Sequence, residues 1–122
     1  MTRQSFSIKR AYLPKDDGDG SRVLVDRLWP RGLQKGDAAL DAWMKDVAPT
    51  PDLRKWFGHD PARFTEFAKR YRLELSQNPA VDALAALAGK GPVTLIYAAR
   101  DETHNHARVL AEFMNERKGG RQ

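Results

Sequence analysis

Short segments with the hydrophobic pattern of β-strands lie near both ends of the chain. Residues 5–12 alternate between apolar and polar side chains, which is typical of a strand near the edge of a sheet. Residues 22–26 and 92–97 are apolar nearly throughout, as expected of strands covered on both faces. Residues 40–47 fit either a strand or a short helix, and the abrupt stop at Pro49 favours a strand or an extended segment.

The middle of the chain is predicted to be helical, because three polar residues are each followed by a proline. A capping side chain before a proline at the first helical position is a typical helix start. These starts predict helices over residues 51–57, from 61 to about 77, and from 79 up to Gly89, and a last helix over residues 102–117. Gly89 is expected in the left-handed conformation that commonly ends a helix.

The alternation of strands and helices predicts an α/β fold. We expect a small, mostly parallel sheet of three to four strands with helices on both faces, a Rossmann-like three-layer architecture. The length of 122 residues corresponds to a single domain, residues 1–122, with a frayed C-terminal tail from about 117 to 122. Residues 14–20 are expected to form a solvated turn, since their aspartates lack the closing glutamate of a calcium loop.

Composition excludes several classes of protein. The absence of cysteine excludes disulfides, thiolate nucleophiles and zinc knuckles, and is consistent with a cytoplasmic location. No apolar stretch approaches the ~20 residues that a bilayer span requires, so no membrane partner is expected, and the first residues do not resemble a signal peptide. The net charge of +5 favours anionic partners such as phosphates, nucleotides or nucleic acid.

Arginines follow two of the predicted buried strands, at the edge where parallel sheets bind ligands. Arg27 and Arg31 come after the second strand, and Arg100 comes after the last. Guanidinium groups are planar forks that suit phosphate and carboxylate, and the ends of neighbouring strands lie on the order of 5 Å apart. We therefore expect the three arginines to hold an anion between them; in the alternative, each pairs with a nearby acid.

Three further residues at these strand exits are candidates for ligand binding. Trp29 would shield the pocket, or would simply pack against apolar neighbours. Asp101 and His104 lie where the last helix is predicted to begin, and free backbone N–H groups there favour an anion. Asp101 could equally cap that helix, and His104 could be a solvated side chain.

Candidates for proton transfer are His106, His59 and Asp46, because acid–base catalysis needs a group that titrates near neutrality or a carboxylate in a tuned environment. A rotation of about 100° per residue places His106 on the inward face of the last helix. No metal is expected, since His104 and His106 are two residues apart and diverge on a helix. No cofactor is expected, since the glycine-rich fingerprints of nucleotide-binding loops are missing.

Four long strings in the chain are distinctive: VDRLWPRG at 25–32, WMKDVAP at 43–49, LRKWFGHD at 53–60 and LIYAARDETHNHA at 95–107. They resemble the YeaO-like family of small bacterial proteins, a domain of unknown function (DUF488). The resemblance extends from about Ile8 to Phe113. It implies a cytoplasmic α/β protein of one domain and brings no established activity.

Together these features indicate a site for a phosphate-bearing or otherwise anionic small molecule, with a nucleotide or nucleoside as one candidate. The protein would be an enzyme of hydrolase type or a receptor for that molecule. Two alternatives remain open. A nucleic-acid-binding module is allowed by the net charge, although the basic residues are spread along the chain. A non-catalytic accessory protein is the other.

Overall fold

Four short parallel strands form the sheet at the centre of the molecule. The computed structural model describes the backbone of residues 5–120 and the side chains of residues 5–117. The strands are β1 (Phe6–Arg10), β2 (Ser21–Leu24), β3 (Ala42–Trp43) and β4 (Val93–Tyr97), in the order β1-β4-β2-β3. All three strand pairs are parallel, and β1 lies at an edge as its alternating pattern predicted.

Helices occupy most of the remaining chain. They are α1 (Lys35–Ala38), α2 (Pro51–Phe57), α3 (Phe64–Ser76), α4 (Ala80–Ala88) and α5 (His106–Gly120), with short 3₁₀ turns at Asp17–Asp19, Lys45–Val47 and Pro61–Arg63. Among residues 5–120, none of these helices combines the length and the apolar character needed to cross a membrane.

The two faces of the sheet are covered differently. Val23, Leu95 and their neighbours pack against α2, α3, α4 and α5 in one apolar cluster. On the other face, Leu24 and Ile96 pack against residues of the 29–40 segment, which contains α1. The predicted α/β architecture with helices on both faces of a parallel sheet is therefore confirmed.

The predicted start of α2 is confirmed, whereas the next helix start and the conformation of Gly89 differ from the prediction. α2 begins after Thr50, whose hydroxyl accepts a hydrogen bond from the N–H of Leu53. The predicted start at Pro61 is a 3₁₀ turn, so that regular α-helix begins at Phe64. Gly89 was expected in the left-handed region and has φ −67°, because the chain continues through another turn and becomes left-handed at Gly91.

The last helix differs from its predicted bounds at both ends. It begins at His106 rather than Glu102, because the Asp101 side chain accepts the N–H groups of Thr103 and His104 and forms a separate turn. It continues to Gly120, so the expected tail is helical where it is described; residues 121–122 lie outside the described residues.

The ambiguous segment 40–47 contains both kinds of structure. Ala42 and Trp43 pair with β2, which confirms the strand interpretation for two residues. Residues 45–47 then form a 3₁₀ turn. The strand is short because pairing with β2 ends at Met44, whose N–H donates to the carbonyl of Leu24.

A buried ionic cluster fastens the 14–20 turn to the sheet. Asp19 is 7% exposed, so the expectation of a fully solvated turn is wrong at this residue. Its carboxylate lies 2.9 Å from Nζ of Lys9 and 2.6 Å from Nη1 of Arg22, which is fully buried. Nη2 and Nε of Arg22 donate to the carbonyls of Ala38 and Ala39, respectively, both at 3.0 Å.

The charge on Asp19 is stabilised by these partners. Burial raises the pKa of the carboxyl, but hydrogen bonds from Lys9, the N–H of Asp16 and Arg22 outweigh burial, so the pKa lies below its ordinary value of 3.8. The contribution of Asp19 to stability is therefore present above that value and is lost as pH falls through the lower folded pKa.

Asp19→Asn is expected to reduce the free energy of unfolding by about 3–5 kcal/mol, because it leaves the buried Arg22 charge without its partner. Urea unfolding at neutral pH measures the effect. Asp17→Asn, an exposed acid in the same 3₁₀ turn, is the control and should change stability by less than about 0.5 kcal/mol. Equal effects of the two substitutions would contradict this account of the cluster.

Candidate functional site

A cavity of about 510 Å³ lies beyond the carboxyl ends of β2 and β4. The two strands are neighbours, with Leu24 in register with Ile96, so the segments that follow them start side by side. The size lies within the range of small-molecule sites. The polar lining residues are Asp26 and Arg27 after β2, Arg100, Asp101, Asn105 and His106 after β4, and Arg54 and His59 from α2 and the turn that follows it.

Apolar side chains form the rest of the cavity wall. Phe57 and Phe67 are stacked with their ring centres 4.3 Å apart, and both line the cavity. Ala48, Pro49 and Ala98 complete the floor and sides, while Leu28 is 64% exposed. The cavity thus presents an apolar surface beside a group of cationic side chains.

The three arginines of the cavity have no ion pair with a carboxylate among the described residues. Arg27 donates through Nη2 to the carbonyls of Pro49 and Ala48, at 3.2 and 3.5 Å, and its Nε is buried without a partner. Arg54 and Arg100 are exposed. Six arginines elsewhere in the described chain do lie within 4.0 Å of an acid: Arg22, Arg63, Arg70, Arg72, Arg108 and Arg117.

Asp26 and His106 form a close pair at the strand exits. Nε2 of His106 lies 2.9 Å from Oδ1 of Asp26 and 3.2 Å from the carbonyl of Val25. The other oxygen of Asp26, Oδ2, accepts the N–H of Ala98 at 3.0 Å. One carboxylate therefore ties the end of β2 to the end of β4 and to the first residue of α5.

Asp101 belongs to a local network at the start of α5. Its Oδ1 accepts the N–H groups of His104 and Thr103, each at 2.9 Å, and its Oδ2 lies 2.9 Å from Nδ1 of His104. The backbone N–H groups of His104 and Thr103 and then the His104 ring lower the pKa of Asp101 from 3.8 to about 2. Asn105 caps α5, since its Oδ1 accepts the N–H of Arg108 at 2.9 Å.

His59 lies at the cavity in an unusual backbone conformation. Its φ is +58°, directly after Gly58 at +53°. The left-handed region costs a residue with a side chain on the order of 1 kcal/mol, although histidine adopts it more often than most residues do. The imidazole is tilted against Phe57, with the ring centres 6.1 Å apart.

Four residues proposed from the sequence lie outside the cavity lining. Trp29 packs against the face of the sheet that carries Leu24 and Ile96, and its indole N–H donates to the carbonyl of Leu33 at 2.7 Å. Arg31 and Asp46 are exposed. His104 contacts Asp101 and lies against the Phe64 ring in a T-shaped arrangement.

Arg54 is a cavity residue that sequence reasoning did not select. In the sequence it is one basic residue of an amphipathic helix, and nothing in the periodicity shows which element that helix faces. The sequence feature that points to Arg54 is its position in the string LRKWFGHD, which also contains His59. Among the described residues, no cluster of three or more His, Asp or Glu side chains is arranged to hold a metal ion.

Comparison with known proteins gives consistent matches over nearly the whole chain. The family model described as "Inactive DUF488-N3 subclade" matches residues 5–122. The chain is 46% identical over 118 residues to the uncharacterized proteins Rv3073c of Mycobacterium tuberculosis (strain ATCC 25618 / H37Rv) and Mb3100c of Mycobacterium bovis, covering 96% of this chain and 100% of each relative. It is 46% identical over 111 residues to the uncharacterized protein YeaO of Escherichia coli (strain K12), covering 90% and 96%. No solved structure matches.

The low pKa of Asp101 predicts a defined change of stability with pH. A carboxyl with a folded pKa of about 2 and an ordinary value of 3.8 contributes stability above 3.8 and loses it as pH falls through about 2. The stability advantage of the native protein over Asp101→Asn should therefore shrink over this interval, because the amide does not titrate. Urea unfolding at several pH values between these limits measures it.

Glu102→Gln is the matched control for this prediction, because Glu102 is an exposed neighbouring acid. Its difference from the native protein should vary less with pH than that of Asp101→Asn. A constant difference between the native protein and Asp101→Asn across the interval would contradict the assignment.

Proposed function

Because the chain belongs to the YeaO-like DUF488 family, in a subclade described as inactive, we propose that it binds a phosphate-bearing small molecule without converting it. The cavity at the ends of β2 and β4 is the binding site. Arg54 and Arg100 hold the anion, with Arg27 behind them.

The observation that carries the proposal is that three arginines without a carboxylate partner among the described residues line one cavity, while six other arginines have such partners. Arg10 and Arg31 also lack an acidic partner there, but they lie outside the lining. Guanidinium groups around one hollow repel one another until an anion lies between them. Two such charges at 4 Å interact by about 1 kcal/mol in water and about 4 kcal/mol near a protein surface. A bound phosphate converts this repulsion into charge-assisted hydrogen bonds.

The charge balance of the cavity supports the same ligand class. Arg27, Arg54 and Arg100 outnumber the two lining carboxylates, and each carboxylate is engaged by a histidine. The apolar wall beside the arginines can cover the non-ionic part of an organic phosphate. A nucleotide is a suitable candidate, because the cavity of about 510 Å³ is large enough for a drug-sized molecule.

Binding is favoured over hydrolysis by the chemistry of the wall. Among the described residues that line the cavity, none is a serine, threonine, cysteine or lysine, so hydroxyl, thiol and amine nucleophiles are missing from it, and its two carboxylates contact histidines. The family description points in the same direction. The Asp26–His106 pair has a structural use, since it joins two strand ends and α5.

Arg54→Ala and Arg100→Ala are expected to weaken the binding of inorganic phosphate and of AMP about tenfold or more, since a hydrogen bond to a charged group contributes about 1.5–3 kcal/mol. Isothermal titration calorimetry measures the affinity. Both residues are exposed, so the fold should be preserved.

Arg31→Ala is the matched control, because it also removes one exposed positive charge but lies outside the cavity lining. It should keep the native affinity within about twofold. Equal losses for all three variants would indicate nonspecific attraction to the net charge, as in binding to nucleic acid, and no loss for any of them would contradict the site.

Turnover provides a separate test of the non-catalytic assignment. The native protein incubated with AMP is expected to release phosphate or adenine no faster than buffer, as followed by ³¹P NMR and chromatography. The reason is that the described lining has no hydroxyl, thiol or amine nucleophile, and that its two carboxylates contact histidines. Release that depends on the protein and disappears in His106→Gln would instead show an enzyme.

A further inference from the structure

We infer that His106 makes the cavity selective for phosphate esters that carry a hydroxyl group, because Nδ1 of its ring accepts a hydrogen bond from that hydroxyl. The inference rests on the proposed function, which supplies the phosphate at Arg54 and Arg100. It adds the second recognised group of the ligand and the residue that recognises it.

The surroundings of Nε2 determine the tautomer of His106. Nε2 lies 3.2 Å from the carbonyl of Val25 and 2.9 Å from Oδ1 of Asp26. Both neighbours are acceptors, so Nε2 must carry the hydrogen, and the N–H direction favours the carbonyl of Val25. In a neutral imidazole the other nitrogen is then an acceptor.

That second nitrogen is free to contact a ligand. Nδ1 of His106 has no hydrogen-bond partner among the described residues and is not one of the buried unpartnered atoms, so it is accessible. The side chain is 17% exposed and lines the cavity.

Other side-chain acceptors from the strand exits are already engaged or are buried. Both oxygens of Asp101 contact residues 103 and 104, and Oδ1 of Asn105 accepts the N–H of Arg108. Oδ2 of Asp26 accepts the N–H of Ala98, and Oδ1 is buried against Nε2 of His106. His59 is exposed, so that bulk water competes for its ring.

Four backbone carbonyls of the same wall are also engaged. Arg10 donates to the carbonyls of Ala98 and Ala99 at 3.2 and 3.0 Å. Arg27 donates to those of Ala48 and Pro49. Nδ1 of His106 is therefore the accessible acceptor best placed to receive a ligand donor near the arginines.

The consequence is a requirement on the ligand. A phosphate dianion has no hydrogen to donate and gains nothing from Nδ1, whereas an ester with sugar hydroxyls satisfies the arginines and the imidazole together. A site built to bind a hydroxyl discriminates against the analogue that lacks it, because its own polar group is then left unpaired.

The test compares AMP with 2′,3′-dideoxy-AMP, which differ in the sugar hydroxyls alone. The native protein at mildly alkaline pH should bind AMP about fivefold or more tightly by calorimetry. His106→Phe should remove this preference. Arg54→Ala should weaken both ligands and leave their ratio unchanged, and His104→Gln, a histidine outside the lining, should keep the preference.

A measurement on the native protein keeps the test decisive if His106→Phe does not fold. In ¹⁵N NMR of the histidine ring, free protein should show the hydrogen on Nε2, and AMP should shift the Nδ1 resonance more than 2′,3′-dideoxy-AMP does. A hydrogen on Nδ1, or identical shifts with both ligands, would overturn the inference.

The two proposals fail in different ways. If inorganic phosphate, AMP and its dideoxy analogue all fail to bind, the proposed function is wrong and the inference falls with it. If the ligands bind through Arg54 but AMP and the dideoxy analogue bind equally, the proposed function stands and the selectivity of His106 is refuted.

Discussion

The carboxylate of Asp26 holds together the elements that make the cavity. Its Oδ2 binds the N–H of Ala98 and its Oδ1 contacts the ring of His106, so β2, β4 and α5 meet at one side chain. Parallel strands leave unpaired N–H groups where pairing ends, and such a group is costly when it is covered. The N–H of Ala98 donates to a side chain rather than to a neighbouring strand. The segments that follow β2 and β4 can therefore diverge, which leaves a cavity between them.

Arginine serves two opposite purposes in this fold. On one face of the sheet, Arg22 is fully buried, and each nitrogen of its guanidinium donates to Asp19 or to the carbonyl of residue 38 or 39. At the carboxyl edge, Arg54 and Arg100 lack acidic partners among the described residues. A buried cation needs a permanent acidic partner, whereas an exposed cation is stable in water without one and remains available to bind an anion from solution.

The meeting of the two strand exits could be predicted from sequence, because apolar runs at 22–26 and 92–97 identify central strands and parallel pairing aligns their ends. Arg27, Arg100 and His106 follow from that argument. Trp29 and Arg31 do not reach the cavity, because the chain turns at the buried Pro30 and continues along the opposite face. The contribution of Arg54 depends on how α2 packs over Phe67, which periodicity does not specify.

The turn after α2 shows why a binding role is consistent with the geometry of the site. Gly58 and His59 are both left-handed, and the second carries a side chain that makes this conformation unfavourable. Glycine at both positions would remove the strain, yet histidine stands at the cavity beside Phe57. Strain of this kind is retained where the side chain has a use that outweighs it. Under the proposed function, a hydrogen-bonding ring in the lining that also contains Arg54 has such a use in holding an anion, and it requires no chemical step.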